Sequence, residues 1–266
     1  MIPLRSVALL LLCLPIEWYQ RQPASTQGLG LPRRSSQIAR AAEAGAKIWV
    51  GRHQEIEEYL RTAECIDMKV FAPNFFARCT LRPGGPVARM AWRSLPPGVH
   101  RGFKESYKTE IAAYELDKLL KMDMVPPSVE RELQGSNGAA QLWVENVVDA
   151  TDAGSPDEAN RTHWERQLVR MTMFDTLIGN RERNRRNMLR DREWNLILID
   201  HSRAFGTVTE PAQKLSRIDQ DSWAKIESLT RNQLDAALHA WLDEDEIKSI
   251  LDRRERMRAV VKGLPK

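Results

Sequence analysis

Cysteine pairs, long apolar runs and a strong charge of either sign are all missing from this sequence. The three cysteines, Cys13, Cys65 and Cys79, form no CxxC pair. An odd, sparse set suits neither a disulfide framework nor a zinc site, and Cys65 and Cys79 read as small buried hydrophobes. Lys and Arg number 40 against 36 Asp and Glu, a net charge of +4. Such a surplus permits an anionic partner without demanding one. No apolar run reaches the length that spans a bilayer, and no internal repeat is visible. The eight Trp residues are dispersed, whereas a stacking platform for single-stranded nucleic acid would cluster them. What remains is ordinary: 266 residues, 42% apolar and 29% charged, with a mean hydropathy of -0.48. This composition excludes collagen-like, fully disordered and polytopic membrane chains. It suits one large domain or two modest ones, with a core that needs no metal.

The amino terminus is distinct. MIPLRSVALLLLCLPI (1–16) has one Arg before an apolar run that fits a signal-peptide core. No A-x-A follows it. Residues 1–19 are therefore a possible signal or anchor segment, with a non-native start as the competing reading. If the segment acts as a signal, the chain is exported or membrane-anchored. Otherwise it is cytoplasmic, and membrane contact is expected only through this segment. Residues 20–37, rich in Pro, Gly, Ser, Gln and Arg, read as a flexible linker. Folded structure is expected from near Ile38.

Past that point the hydrophobic period changes several times. HQEIEEYLRTA carries Ile56, Tyr59 and Leu60 at helical spacing. IDMKVFA, FFARCTL and VARMAWR read as strands, with a PGG turn at 83–85 and a loop over 94–103. The spacing predicts a helix over 107–122, stopped by Pro126 and Pro127. Strands follow at SVERELQ and AAQLWVE, then a polar acidic loop over 149–160 that marks the boundary between lobes. From 161 a helix runs to Gly179. A polar loop, NRERNRRN, leads to a hairpin of MLR and WNLILI ending at Asp200. The tail, 219–262, is helical, with Asp243 as a good N-cap. Segregated β and helical parts indicate an α+β fold of two lobes, 38–145 and 146–266.

The informative stretch is FDTLIGNRERNRRNMLRDREWNLILIDHSRAF, 174–205. One hairpin is long enough to bring the carboxylates of Glu182 and Asp200 to the same mouth, beside Asn187. Phosphoryl transfer needs this inventory: one carboxylate for the acceptor hydroxyl, and an amide and a second carboxylate for a divalent metal on the phosphates. Hard oxygen donors suit Mg²⁺ or Mn²⁺. The interleaved Arg181, Arg183, Arg185 and Arg186 add positive field for phosphate. Each residue also has a plain reading. Glu182 is a surface carboxylate in an Arg run, Asn187 a loop amide, and Asp200 a strand-end turn cap. His201 orients the loop or caps the strand. The run RERNRR could be a nucleic-acid patch, but its interruptions and the small net charge argue against one.

This spacing, with I-D-H after it, resembles the atypical kinases: the secretory-pathway (Golgi casein) kinases, HipA-type bacterial kinases, phosphoinositide kinases and their bacterial relatives. TEIAAYELDKLL followed by MVPPSVE looks like the helix C segment of the secretory-pathway group. QLWVE, 141–145, falls at the hinge position and LIDHSRAFG at the metal strand. The resemblance spans roughly 48–262. It implies a two-lobed protein-kinase-like fold, a β-rich lobe before a mostly helical one, and ATP with Mg²⁺ or Mn²⁺ bound between them. The γ-phosphate would pass to a hydroxyl of a protein or small molecule, and no nucleic-acid partner is expected. By position, Glu182 is the catalytic carboxylate and Asn187 and Asp200 are metal ligands. Glu110 braces the cation on the nucleotide phosphates, and Trp143, Val144 and Glu145 cover the adenine. Without the resemblance Glu110 is a solvated carboxylate, roughly 140° from the apolar stripe of its helix.

The sequence departs from the family in two places. Glu182 stands where Asp is usual, adding about 1.5 Å of reach, and a misplacement of about 1 Å can cost on the order of 100-fold in rate. Arg93 stands where Lys is usual, a planar fork in place of a point charge; Lys104 is the alternative phosphate contact. The turn APNFFARC also lacks glycine, so no G-x-G-x-x-G covers that hairpin. These changes keep a second reading open, a catalytically impaired pseudokinase serving as a nucleotide-binding or protein-interaction module.

Overall fold

The computed structural model describes residues 46–72, 75–211 and 213–264. The expected signal segment, linker and onset near Ile38 lie outside the described residues. Among the described residues no helix is long and apolar enough to cross a membrane.

The first lobe is built on one antiparallel sheet. Its strands are β1 (Cys65–Ala72), β2 (Phe76–Leu81), β3 (Arg89–Arg93), β6 (Ser128–Leu133) and β7 (Ser136–Leu142), in the order β1-β2-β3-β7-β6. Helix α1 (His53–Thr62) buries Ile56 and Leu60 completely against it, in one cluster with Trp49, Met90, Val129 and Leu142. Each such side chain contributes about 1.5–3 kcal/mol of transfer free energy. The register of β3 on β7 pairs Met90 with Leu142 and Arg93 with Ala139. Side chains alternate along a strand, so Met90 points to α1 while Arg93 takes the face of Ala139. That face meets helix α2 (Tyr107–Leu120), whose Tyr107 and Ile111 pack on Ala139. A Cβ on Gly138 would meet the Arg93 carbonyl oxygen at 2.6 Å and Trp92 Nε1 at 2.8 Å, which holds this β7 position to glycine.

The second lobe is mostly helical. Helix α3 (Glu158–Ile178) is capped by Asp157, which accepts from Asn160 N, and ends on Gly179 at φ 67°. It begins slightly earlier than the sequence period suggests, inside the expected acidic loop. Helices α4 (Gln220–Glu227), α5 (Arg231–Leu238) and α6 (Glu244–Lys262) follow, and Asp243 with Glu246 forms a capping box on α6. Their apolar faces share a core with Phe174, Leu177, Leu196 and Leu198, and with Tyr114 and Leu116 of α2. Helix α2 therefore belongs to both lobes. A three-stranded sheet, ordered β10-β9-β8, lies between them: β8 (Val148–Asp149), β9 (Met188–Arg190) and β10 (Leu196–Leu198).

The expected loop over 94–103 contains structure. Strands β4 (Gly98–His100) and β5 (Phe103–Glu105) form a small hairpin turned by Arg101 and Gly102, both at positive φ. Its strands are three residues each and largely exposed, so no apolar alternation announced them.

The cysteine expectation is also overturned. Cys65 and Cys79 form a disulfide, with Cα atoms 5.7 Å apart. Adjacent antiparallel strands carry them, and an irregularity between Cys65 and Asp67 brings Cys65 within reach of Cys79. Register, invisible in a cysteine count, decides the pairing. The bond closes a loop across 14 residues, for which chain-entropy bookkeeping gives about 3 kcal/mol. A C65S/C79S variant is expected to lose about 2–3 kcal/mol in urea denaturation, and reducing agent is expected to bring the wild type to the same midpoint. Equal midpoints of wild type and variant without reductant would contradict the bond.

Candidate active site

Between the lobes lies a cavity of about 400 Å³ lined by Phe76, Arg93, Glu110, Glu182, Asn187 and Asp200, among others. Phe76 comes from β2, and four further stretches supply the polar side chains. Arg93 ends β3, Glu110 sits in the first turns of α2, Glu182 and Asn187 flank the loop after α3, and Asp200 follows β10.

The loop owes its shape to Arg183. Its side chain is only 2% exposed and meets Asp175, fully buried in α3. Nε donates to Asp175 Oδ2 at 2.9 Å and Nη2 to Oδ1 at 3.0 Å. Nη1 donates to the carbonyls of Asn187 (2.9 Å) and Ile199 (2.7 Å). Asn180 donates to Asp175 Oδ1 at 3.0 Å and accepts from Glu182 N at 3.1 Å. Asn184 accepts from Arg186 N and Asn187 N, closing a single 3₁₀ turn over Arg185–Asn187. The sequence suggested that the Arg run supplies field for phosphate. Instead Arg181 donates to the carbonyl of Glu210 and Arg185 to that of Ala150, while Arg183 points inward. These three guanidinium groups satisfy backbone acceptors.

Asp200 adopts φ 63°, a left-handed conformation that Asp tolerates better than most residues. Its carboxylate is 21% exposed and meets Arg93 Nη1 at 3.2 Å. It also accepts from Asn187 Nδ2 at 3.3 Å and Ser202 Oγ at 3.3 Å. Glu110 is not the solvated carboxylate its helical angle suggested. It is fully buried, 3.6 Å from Arg93 Nε, and accepts from His201 N at 2.9 Å. Helix α2 is covered on nearly every side, so distance from one apolar stripe says little about exposure. His201 Nε2 lies 2.9 Å from Arg183 Nη2. Arginine can only donate, so Nε2 accepts and the ring proton sits on Nδ1, facing Glu110 Oε2 at 3.6 Å. The Arg93 guanidinium also lies over the Phe76 ring, 4.9 Å from its centroid. Glu182, with 49% of its side chain exposed, faces Arg203 Nη1 at 3.5 Å.

Other candidates fall elsewhere. Lys104 is not brought to the phosphate cluster: Nζ pairs with Glu246 of α6 at 2.6 Å and lies 3.7 Å from Asp243. It points the other way because β5 sends alternate side chains to opposite faces. Trp143 and Val144 are buried, with the guanidinium groups of Arg78 and Arg89 over the Trp143 ring. Glu145 pairs with Arg89. None of the three lines the 400 Å³ cavity. Sequence reasoning missed Asp175, Glu105 and Arg203. Asp175 lies in a helical run where its burial is invisible, and Arg203 is one more Arg in an Arg-rich segment.

Residues 154–262 match the family model described as Golgi casein kinase, C-terminal, Fam20. Solved structures agree over most of the chain. The Golgi casein kinase with Mn/ADP bound is 13% identical, with a TM-score of 0.57 over 79% of this chain and 75% of that one. A hydra Fam20 structure with sugar is 16% identical, with a TM-score of 0.60 over 79% and 88%. The Helicobacter pylori proinflammatory kinase CtkA is 13% identical, with a TM-score of 0.52 over 78% and 99%. The fold is that of a Fam20-like atypical kinase. No curated protein sequence matches the chain. The matched segment of the Fam20-like fold takes in the loop with Glu182 and Asn187 and the strand end with Asp200.

Burial alone would raise the Glu110 carboxyl, but the Arg93 guanidinium and the His201 N–H groups outweigh it and hold it below the usual range. A depressed acid stabilises the fold above its unfolded pKa, and that contribution fades as pH falls from 4.5 toward the folded value. Glu110→Gln is expected to cost about 3 kcal/mol at pH 7, as breaking a buried pair does. The deficit should shrink below pH 4.5. Urea denaturation at neutral and acidic pH reads both, and an unchanged deficit would show that the pair is not ionised.

Proposed function

We propose that this chain is an ATP-dependent phosphotransferase of the atypical kinase type, acting on a hydroxyl of a protein or small molecule. The observation that carries the reading is the convergence of Glu182, Asn187 and Asp200 on one cavity that Arg93 and Glu110 also line. The nucleotide lies between a β-rich lobe, 38–145, and a helical lobe, 146–266, with its phosphates in the 400 Å³ cavity and its adenine beyond that cavity, toward Trp143, Val144 and Glu145. Arg93, braced by Glu110, holds its phosphates.

The donor set fits a divalent cation of the Mg²⁺ or Mn²⁺ kind only together with phosphate oxygens. Among the described residues no group of three or more His, Cys, Asp or Glu could hold a metal alone. One amide and one carboxylate do fit a hard cation that keeps most of its shell from nucleotide and water. Asn187 donates its amide hydrogen to Asp200, which leaves the amide oxygen as a ligand. When bound, the cation neutralises charge on the phosphates. The manganese and ADP of the Golgi casein kinase structure support a nucleotide with Mn²⁺ as the cofactors here.

Glu182 orients the acceptor hydroxyl and takes its proton. Its extra methylene shifts the carboxylate relative to an Asp. The disulfide supports an oxidising compartment, where such bonds persist. A second reading, the pseudokinase, is favoured by one observation: Arg93 already bonds Asp200, and Glu182 leans on Arg203, so the charges compensate one another.

Thermal shift with ATP and Mn²⁺ separates the readings. At 100 times its dissociation constant the ligand is expected to add about 2.7 kcal/mol, a rise of roughly 5–10 °C, lost in Asp200→Ala and kept in Lys104→Ala. Labelled ATP should show transfer that Glu182→Ala removes and Glu182→Asp raises. Stabilisation without turnover leaves the pseudokinase, and no stabilisation removes both readings.

A further inference from the structure

A second cavity, of about 540 Å³, adjoins the first. It opens between the β4–β5 hairpin and the helical lobe, with Lys104, Arg181 and Trp241 in its wall. Five residues line both cavities: Glu105, Ser106, Glu182, Ser202 and Arg203. Arg203 is the only cation among them. Its guanidinium lies 3.9 Å from the centroid of the Phe103 ring. Nε donates to Glu105 Oε1, a carboxylate only 12% exposed, while Nη1 makes a longer contact of 3.5 Å with Glu182. Anchored at one edge and loosely engaged at the other, the planar fork keeps donors at the boundary between the two chambers. Ser106 N donates to Ser202 O at 3.0 Å, tying that boundary to the start of α2.

We propose that Arg203 is a further catalytic residue, which binds the phosphoryl group as it crosses from the nucleotide cavity to the second one. This rests on the phosphotransferase reading. In the transfer, the bond from Pγ to the bridging oxygen of ADP breaks and its electron pair leaves with ADP. A bond from Pγ to the acceptor oxygen forms, and the acceptor proton passes to Glu182. Negative charge is spread over three equatorial oxygens, which a planar fork matches better than a point charge. Arg203 then exchanges its long contact with Glu182 for phosphoryl oxygens, which frees that carboxylate for the proton. Glu105 is a positioning residue that fixes the fork. Lys104 cannot substitute, since Glu246 holds it at 2.6 Å.

The test uses the full chain with γ-labelled ATP and Mn²⁺, reading phosphate release to water, which needs no identified acceptor, beside ATP affinity. Arg203→Ala is expected to lower turnover roughly 100-fold or more with ATP affinity changed less than about threefold. Arg203→Lys should recover little. Added guanidinium, at concentrations that leave the melting temperature unchanged, should restore about tenfold in Arg203→Ala and nothing in wild type. Glu105→Gln should lower turnover without gaining from guanidinium. Turnover within threefold of wild type in Arg203→Ala overturns the proposal, as does a loss that guanidinium does not restore. Wild-type chain that binds ATP without releasing phosphate overturns the phosphotransferase reading as well.

Discussion

The buried ion pair of Arg183 and Asp175 is the constraint on which the site depends. Two charges taken out of water cost several kcal/mol each, and only full hydrogen bonding repays them. Arg183 achieves this by spending its fork on one carboxylate, two carbonyls and one imidazole. The two carbonyls belong to Asn187 and Ile199, so one guanidinium fixes both the amide and the residue before Asp200. The same carboxylate holds Asn180, which in turn holds the backbone of Glu182. A Lys here would offer one point of charge and leave at least two buried acceptors unmet. Such a pair contributes little net stability; what it supplies is a single geometry for Glu182, Asn187 and Asp200.

A chain of contacts runs from there across both lobes. Arg183 sets the tautomer of His201, whose backbone N–H bonds Glu110, and Glu110 faces Arg93 on the central sheet. Helix α2 is the mechanical link, since its residues pack in the helical core and on β7. A shift of α2 would move Glu110 away from His201 and Arg93 together. The charges in this chain alternate in sign, so each buried group has an opposite neighbour and none is left to bear its desolvation cost alone.

Much of the fold was legible because period-2 and period-3.6 patterns survive wherever one face is dry and the other wet. Strands β1, β2, β3, β6 and β7 and helices α1, α2 and α3 all have such faces. The β4–β5 hairpin has none and was read as loop. Helix α2 is buried nearly all round, so its period was visible while the burial of Glu110 was not. The convergence of Glu182, Asn187 and Asp200 on one cavity is legible in the sequence because short spacing and one hairpin constrain them. The sequence around Lys104 does not show which face of a short strand its side chain takes, and the structure turns it to Glu246. The disulfide and the inward turn of Arg183 depend on register and loop closure, which no local pattern encodes.

The two departures from the usual kinase residues have linked physical consequences. A Lys at 93 would place one ammonium between Glu110 and Asp200. Arg93 spans both, 3.6 Å from one carboxylate and 3.2 Å from the other, and spreads its charge over the Phe76 ring. On the proposed reading, a nucleotide phosphate would compete with Asp200 for Nη1. At 182 the longer side chain finds Arg203, so that carboxylate too has a cationic partner. In both places a guanidinium lies between two carboxylates of unequal burial: Glu110 and Asp200 about Arg93, Glu105 and Glu182 about Arg203. The more exposed carboxylate of each pair, Asp200 and Glu182, is the one proposed above for metal binding or proton transfer.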